Sequence, residues 1–288
     1  MPELPEVEVV RVGLAPAVSR ASVASVVVFD ERSLRRHDGP SEDFVHRLTG
    51  QGFASAERRG KFLWLPLAGT EEALVVHLGM SGQVLLRERG VDDRLTRIRL
   101  DIEHPEHGPL RLNFVDQRIF GSMAIDRLVP TPDGPDLVPS QVSHIARDPL
   151  DERFDDGLFF RRLAARRTGV KRALLDQGLV SGIGNIYADE ALWAARIHYE
   201  QATDALSRVR ARRLLAEVRL VLAKALAEGG TSFDTQYLNV NGESGYFAHS
   251  LNAYGQQGRP CPRCGRLIVR EQFMNRGSHL CPFCQRRR

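Results

Sequence analysis

The sequence predicts an α+β protein of several domains: a β-sandwich led by one helix, then a helical domain, then a C-terminal hairpin built around a metal ion. Three observations carry this. Short runs rich in β-branched residues follow one another to about residue 128, an apolar period of three to four replaces them after a proline-rich stretch, and all 4 cysteines fall in two close pairs at the C-terminal end. At 288 residues the chain is long enough for more than one domain and a sizeable core.

Taken in order, Leu4, Val7, Val10, Leu14 and Val18 recur at helical spacing, so a helix is expected from Glu3 onward, with Pro5 tolerated in its first turn. Val23 to Phe29, Phe62 to Leu67, Leu74 to His77, Gln83 to Arg87 and Arg97 to Ile102 read as strands. The last alternates Ile98, Leu100 and Ile102 against Arg97, Arg99 and Asp101. Residues 1–128 therefore form the β-sandwich domain. Pro130, Pro132, Pro135, Pro139 and Pro149 crowd the next stretch, and 129–150 is expected to be a linker. Helical patterning fills 151–230 and ends in a long segment from Leu206 to Glu228, with Asp204 as its cap and Gly229-Gly230 as its stop. Residues 231–258 are rich in Gly, Asn, Ser and Tyr and read as a loop region.

The last segment, 259–288, is the metal module. Cys261-x-x-Cys264 and Cys281-x-x-Cys284 offer four thiolates in two knuckles, which suits tetrahedral Zn²⁺, and Leu267-Ile268-Val269 with Gly277 can make the hairpin that joins them. Such a closed site is structural, because no position is left for water. The same segment holds eight arginines and one glutamate, so a polyanion partner is expected although the whole chain carries only +4. No apolar run is long enough to span a membrane and the start lacks a signal-peptide pattern, so the sequence predicts a cytoplasmic protein.

The amino end carries the most chemistry. A proline at position 2 permits removal of Met1, and Pro2 would then present a secondary amine at the positive end of a helix dipole. That field lowers the amine's pKa and leaves more of it as a neutral nucleophile. Glu3 and Glu6 lie on one face beside it, placed for proton transfer and positioning. On residue types alone the same stretch is also an ordinary helix start. Further along, Arg58-Arg59-Gly60-Lys61 precedes a strand, and Gly182-Ile183-Gly184-Asn185 is a glycine-rich turn entering a helix, with Asn185 as the expected cap and backbone N–H groups turned outward.

These stretches together resemble the bacterial formamidopyrimidine-DNA glycosylase and endonuclease VIII family. Met1-Pro2-Glu3-Leu4-Pro5-Glu6-Val7-Glu8 is similar to the family's opening. Lys171-x-x-Leu174-Leu175-Asp176-Gln177 with Val180 to Glu190 is similar to its helix-two-turn-helix, and the cysteine hairpin is similar to its zinc finger. The resemblance implies a bifunctional DNA glycosylase and AP lyase that acts as a monomer on damaged double-stranded DNA and needs no nucleotide cofactor. It makes Pro2 the nucleophile, Glu3 the proton-transfer acid and Glu6 a positioning residue. It makes Lys61, Lys171, Asn185 and Arg276 phosphate contacts around the lesion, with Lys61 and Arg276 counted in the catalytic set.

In the same family an apolar wedge fills the gap left when a base is flipped out. Here His77-Leu78-Gly79-Met80-Ser81-Gly82 and Asp116-Gln117-Arg118-Ile119-Phe120-Gly121 correspond to it. Met80 and Phe120 would be the wedge, Arg118 would bond the orphaned base, and His77 joins the DNA-binding set. Without the resemblance, Met80 and Phe120 would read as core residues. Asn239 to Leu251 favours the formamidopyrimidine branch, whose substrates are oxidised purines such as 8-oxoguanine and formamidopyrimidines. Departures stand at Gln117 and Ile119, where relatives have Pro and Arg, at Ser232 to Tyr237, and at His279-Leu280, where many relatives have an aromatic pair. An enzyme for oxidised pyrimidines of the endonuclease VIII type, a non-catalytic zinc-finger DNA-binding protein, and a structural or protein-interaction module are the alternatives.

Overall fold

The computed structural model describes residues 2–132, 134–230, 240 and 247–287. Met1 and the loop motifs at 232–237 and 239–246 lie outside the described residues, Val240 excepted. The chain divides into two compact units, residues 1–144 with 229–245 and residues 145–228 with 246–288.

The first unit opens with α1 (Leu4–Val18), which carries Pro5 in its first turn, where a missing N–H costs nothing. There follow β1 (Ser22–Val28), α2 (Ser41–Leu48), β2 (Glu57–Arg59), β3 (Phe62–Pro66), β4 (Glu72–His77), β5 (Gly82–Glu88), β6 (Thr96–His104), β7 (Gly108–Asp116), β8 (Ser122–Pro130) and β9 (Leu137–Pro139). They form a four-stranded sheet, β1-β6-β7-β5, and a five-stranded sheet, β2-β3-β4-β8-β9. Alternate residues of both sheets enter one core: Ile98, Leu100 and Ile102 of β6 and Leu112 and Phe114 of β7, with Leu63 and Leu65 of β3 and Met123 and Ile125 of β8. Val7, Val10, Leu14 and Val18 seal it from α1. This is the sandwich, with its leading helix.

The proline-rich stretch is not a free connection. β8 runs through Pro130, and Val129 pairs with Val138 of β9, so the chain as far as His144 belongs to the first unit. Prolines suit such a place, because β9 is an edge strand with few ladder N–H groups to supply.

Strand register gathers the loops that matter. Phe62 pairs with His77, His77 with Ser122, and in the other sheet Gly82 with Asp116. The turn before β3, the β4–β5 connection and the β7–β8 connection therefore emerge together at one end of the sandwich.

The second unit contains α3 (Asp156–Ala164), α4 (Val170–Leu174), α5 (Asn185–Ala195), α6 (Arg208–Ala227) and the hairpin of β10 (Val269–Phe273) and β11 (Arg276–Leu280). α6 buries Leu214, Leu215, Val218 and Leu222 on one stripe. Its cap is Ser207, whose side chain accepts from the Arg210 N–H, and not Asp204 as the sequence reading expected. No described helix is long and apolar enough to cross a membrane.

Candidate functional site

At the amino end, Pro2 is buried and Glu3 and Glu6 are 1% and 2% exposed. Glu3 caps α1 in a reciprocal capping box: its side chain accepts from the Glu6 backbone, while the Glu3 N–H donates to Glu6 Oε2 at 2.8 Å. Glu6 also stands against Gly230, where an added Cβ would come within 3.1 Å of Oε1. Two carboxylates are thus withdrawn from water beside the proline nitrogen. Such burial costs stability, so its presence at a helix start points to use.

Arg58 reaches back to this helix, donating to Glu8 at 2.8 Å and to the Gly60 carbonyl at 3.0 Å. The first turns of α1 are thereby fastened to the β2–β3 turn that carries Lys61. Opposite it, His77 accepts the Gly79 N–H on Nδ1 at 3.1 Å, so the ring's hydrogen sits on Nε2. Burial, then the charges of Arg36, Lys61 and Arg35, push the His77 pKa down to about 4. His77 is a neutral N–H donor among cations, a combination suited to a phosphate oxygen.

Met80 and Phe120 are 45% and 48% exposed, which excludes the core reading. Their loops are packed backbone against backbone. Gly79 has φ +63°, and a Cβ there would fall 2.3 Å from the Phe120 carbonyl, so only glycine fits. Asp116 is fully buried and accepts from the Gly121 N–H at 2.6 Å, the Arg118 N–H at 3.1 Å and Ser81 Oγ at 2.5 Å. The Arg118 side chain remains exposed. Arg35, which the sequence reading did not single out, donates to the carbonyls of Ile119, Phe120 and Gly121.

In the second unit, Gly184 is the N-cap of α5 and Asn185 its first residue, which corrects the expectation that Asn185 caps. Its Nδ2 donates to the Gly277 carbonyl at 3.1 Å, while its Oδ1 is buried without a partner. Lys171 requires a larger correction. It is 0% exposed, with Nζ 2.6 Å from Asp189 Oδ1, 4.7 Å from the Phe273 ring and 3.4 Å from the Gly277 carbonyl. A side chain so enclosed does not reach a phosphate; its charge neutralises Asp189 instead. Asp189 in turn accepts from Ser278 Oγ at 3.0 Å and the His279 N–H at 2.8 Å. The network locks β11 onto α5, and Arg276, exposed at the start of β11, is presented beside that lock.

Cys261, Cys264, Cys281 and Cys284 bring their sulfurs within 4.8 Å of one another. Zn–S bonds of about 2.3 Å require tetrahedral edges of about 3.8 Å, so one zinc ion fits. The Trp193 indole N–H donates to Cys261 Sγ at 3.4 Å. Burial opposes ionisation of Cys261, yet this bond and backbone N–H groups outweigh it and bring the pKa to about 7. Burial and the neighbouring thiols push Cys284 up to about 12. Four thiols so close do not ionise together without a bound cation, which is the chemistry of a zinc knuckle.

Three family models match the chain: the formamidopyrimidine-DNA glycosylase N-terminal domain over residues 1–123, the formamidopyrimidine-DNA glycosylase H2TH domain over 145–237, and a zinc finger found in FPG and IleRS over 258–287. Among curated relatives, the formamidopyrimidine-DNA glycosylase of Leifsonia xyli is 64% identical, covering 99% of this chain and 100% of the relative. That of Thermobifida fusca is 56% identical, covering 100% and 98%. Among solved structures, the MutM (Fpg) protein of Thermus thermophilus has a TM-score of 0.83 at 35% identity, covering 100% of both chains. A variant of Lactococcus lactis Fpg in complex with a Fapy-dG containing DNA has a TM-score of 0.85 at 30% identity, covering 99% of this chain and 100% of that one.

Proposed function

The chain belongs to the formamidopyrimidine-DNA glycosylase family, and from that premise we propose a base-excision enzyme that removes oxidised purines from double-stranded DNA and then cuts the strand. It is a DNA glycosylase and AP lyase acting as a monomer, with 8-oxoguanine and formamidopyrimidines as substrates. Its working place is the cytoplasm, held to the nucleoid by DNA.

The carrying observation is the buried capping box of Glu3 and Glu6 directly after Pro2. In the mature chain the Pro2 nitrogen attacks C1′ of the damaged nucleoside, the C1′–N bond breaks, and the base leaves with a proton. The C1′–O4′ bond then opens, its oxygen taking a proton, and the iminium that results joins enzyme to sugar and acidifies the C2′ hydrogen. Loss of that proton expels the 3′ phosphate, and a second elimination expels the 5′ phosphate. Glu3 handles protons at the sugar and Glu6 fixes the turn that presents the amine.

Lys61 and neutral His77 hold the backbone from the sandwich unit, and Asn185 with Arg276 from the helical unit. Met80 and Phe120 fill the space of the flipped nucleotide, and Arg118 bonds the base left opposite. Zinc, held by Cys261, Cys264, Cys281 and Cys284, takes no part in the reaction; it folds the hairpin that carries Arg276.

The test compares duplexes containing 8-oxoguanine with duplexes containing thymine glycol, read as single-turnover base release. Faster release of 8-oxoguanine is expected. Preference for thymine glycol would assign the chain to oxidised pyrimidines, and no release from either would leave a DNA-binding protein.

A further inference from the structure

Arg35 lies at the end of a single 3-10 turn, Glu31–Leu34, and its guanidinium donates to three consecutive carbonyls of the β7–β8 connection. Nη1 reaches Gly121 O at 2.7 Å and Ile119 O at 3.0 Å, and Nη2 reaches Phe120 O. The clamped segment contains a conformation that needs holding. Ile119 has φ +55°, a region that β-branched residues rarely enter because Cβ meets the backbone. On the other side Asp116 holds the Gly121 and Arg118 N–H groups. Donors from Arg35 and acceptors from Asp116 therefore saturate a loop whose tip, Phe120, stands half exposed.

We infer that Arg35 is a positioning residue: by gripping the carbonyls of residues 119–121 it holds Phe120 and Arg118 in the attitude needed to enter the duplex and occupy the place of the flipped nucleotide. This rests on the wedge reading given above for Phe120. The physical reason is entropic. A free loop would have to be ordered at the moment of insertion, whereas a clamped one is ordered beforehand and loses little.

The role separates two steps of the reaction. Excision requires an intact base to be expelled from the stack, and the wedge acts there; cleavage at an abasic site already made starts from a sugar with no base to expel. Single-turnover rates are measured for base release from an 8-oxoguanine:cytosine duplex and for cleavage of a preformed abasic duplex, in wild type, Arg35→Gln, Arg35→Lys and Phe120→Ala. Arg35→Gln is expected to slow base release about tenfold or more, in line with the cost of an ångström-scale misplacement, while abasic cleavage changes by less than about threefold. Lysine, which can donate to carbonyls without the planar fork, recovers part of the loss.

Equal loss of both activities, or a fall of about one in the slope of log affinity against log salt, would make Arg35 a fold or phosphate contact and overturn the inference. If Phe120→Ala slows base release and Arg35→Gln does not, the wedge stands and the clamp falls. If Phe120→Ala has no effect, the wedge reading itself fails and the clamp with it.

Discussion

At the scale of single residues, the site depends on which charges are kept and which are removed. His77 is kept neutral by burial and by surrounding cations, so as a donor it does not depend on a proton from solution. The consequence for stability has a definite sign. The folded chain refuses a proton that the unfolded chain accepts at an ordinary value of 6.5, so the His77 contribution is whole above that pH and is lost as pH falls toward 4. By pH 5 the loss amounts to about 2 kcal/mol. Thermal melts at pH 7 and pH 5 should therefore separate by less in His77→Gln than in wild type; an equal separation would place the acid sensitivity elsewhere.

The residue scale is also where the sequence was least legible. The candidates Pro2, Glu3, Glu6 and Lys61 stood out in the opening residues and the turn before β3. The burial of Lys171 was not, because it depends on a hairpin 106 residues away in the chain. Arg35 offered no signal at all in Arg32-Ser33-Leu34-Arg35-Arg36, since its partners are backbone carbonyls, which no side-chain pattern reveals.

Among elements, α5 is the common support of the second unit. Its first residue bonds Gly277, its Asp189 holds Lys171, Ser278 and His279, and its Trp193 donates to a zinc-site thiol. Removing one partner of a buried ion pair leaves a charge without compensation and costs about 3–5 kcal/mol. Lys171→Met or Asp189→Leu alone should lower the unfolding free energy of this unit by that order, and the double variant should be less destabilised than the two singles added together, as a denaturant-melt cycle would read. Additive losses would mean that the two side chains do not act as a pair.

Strands announced themselves where alternation was clean, as in β6, and the long helix α6 where its apolar stripe was. β7 alternates Leu110, Leu112 and Phe114, yet its other face buries Asn113 and Arg111, and that mixture obscured the pattern. The caps of α5 and α6 fell one and three residues from the expected ones: Ser207 accepts the Arg210 N–H, whereas Gly184, with no side chain to offer, enters α5 from extended backbone.

For the whole molecule, the expected contacts are divided between two units: Pro2, Glu3, Lys61, His77 and the wedge in one, Asn185, Arg276 and the zinc cysteines in the other. Each unit has its own core, so damage to one should leave the other folded. Cys264→Ser, or removal of zinc by a chelator, should abolish lesion-DNA binding and lower the melting temperature of the helical unit alone, the sandwich melting as before in calorimetry. Retention of full DNA affinity without zinc would contradict the role given to the hairpin. In intact protein, Arg276→Gln should weaken binding evenly across lesions and reduce the salt slope by about one; a lesion-selective loss would give Arg276 a different task.

The proposed chemistry rests on the Pro2 nitrogen, and the most direct measurement is peptide mapping by mass spectrometry of the enzyme–DNA complex reduced with borohydride during turnover on an 8-oxoguanine duplex. The sugar is expected on the N-terminal peptide at Pro2, with no complex formed by Pro2→Gly. A reduced adduct mapped to Lys61 or any other lysine, or an undiminished complex in Pro2→Gly, would contradict the account.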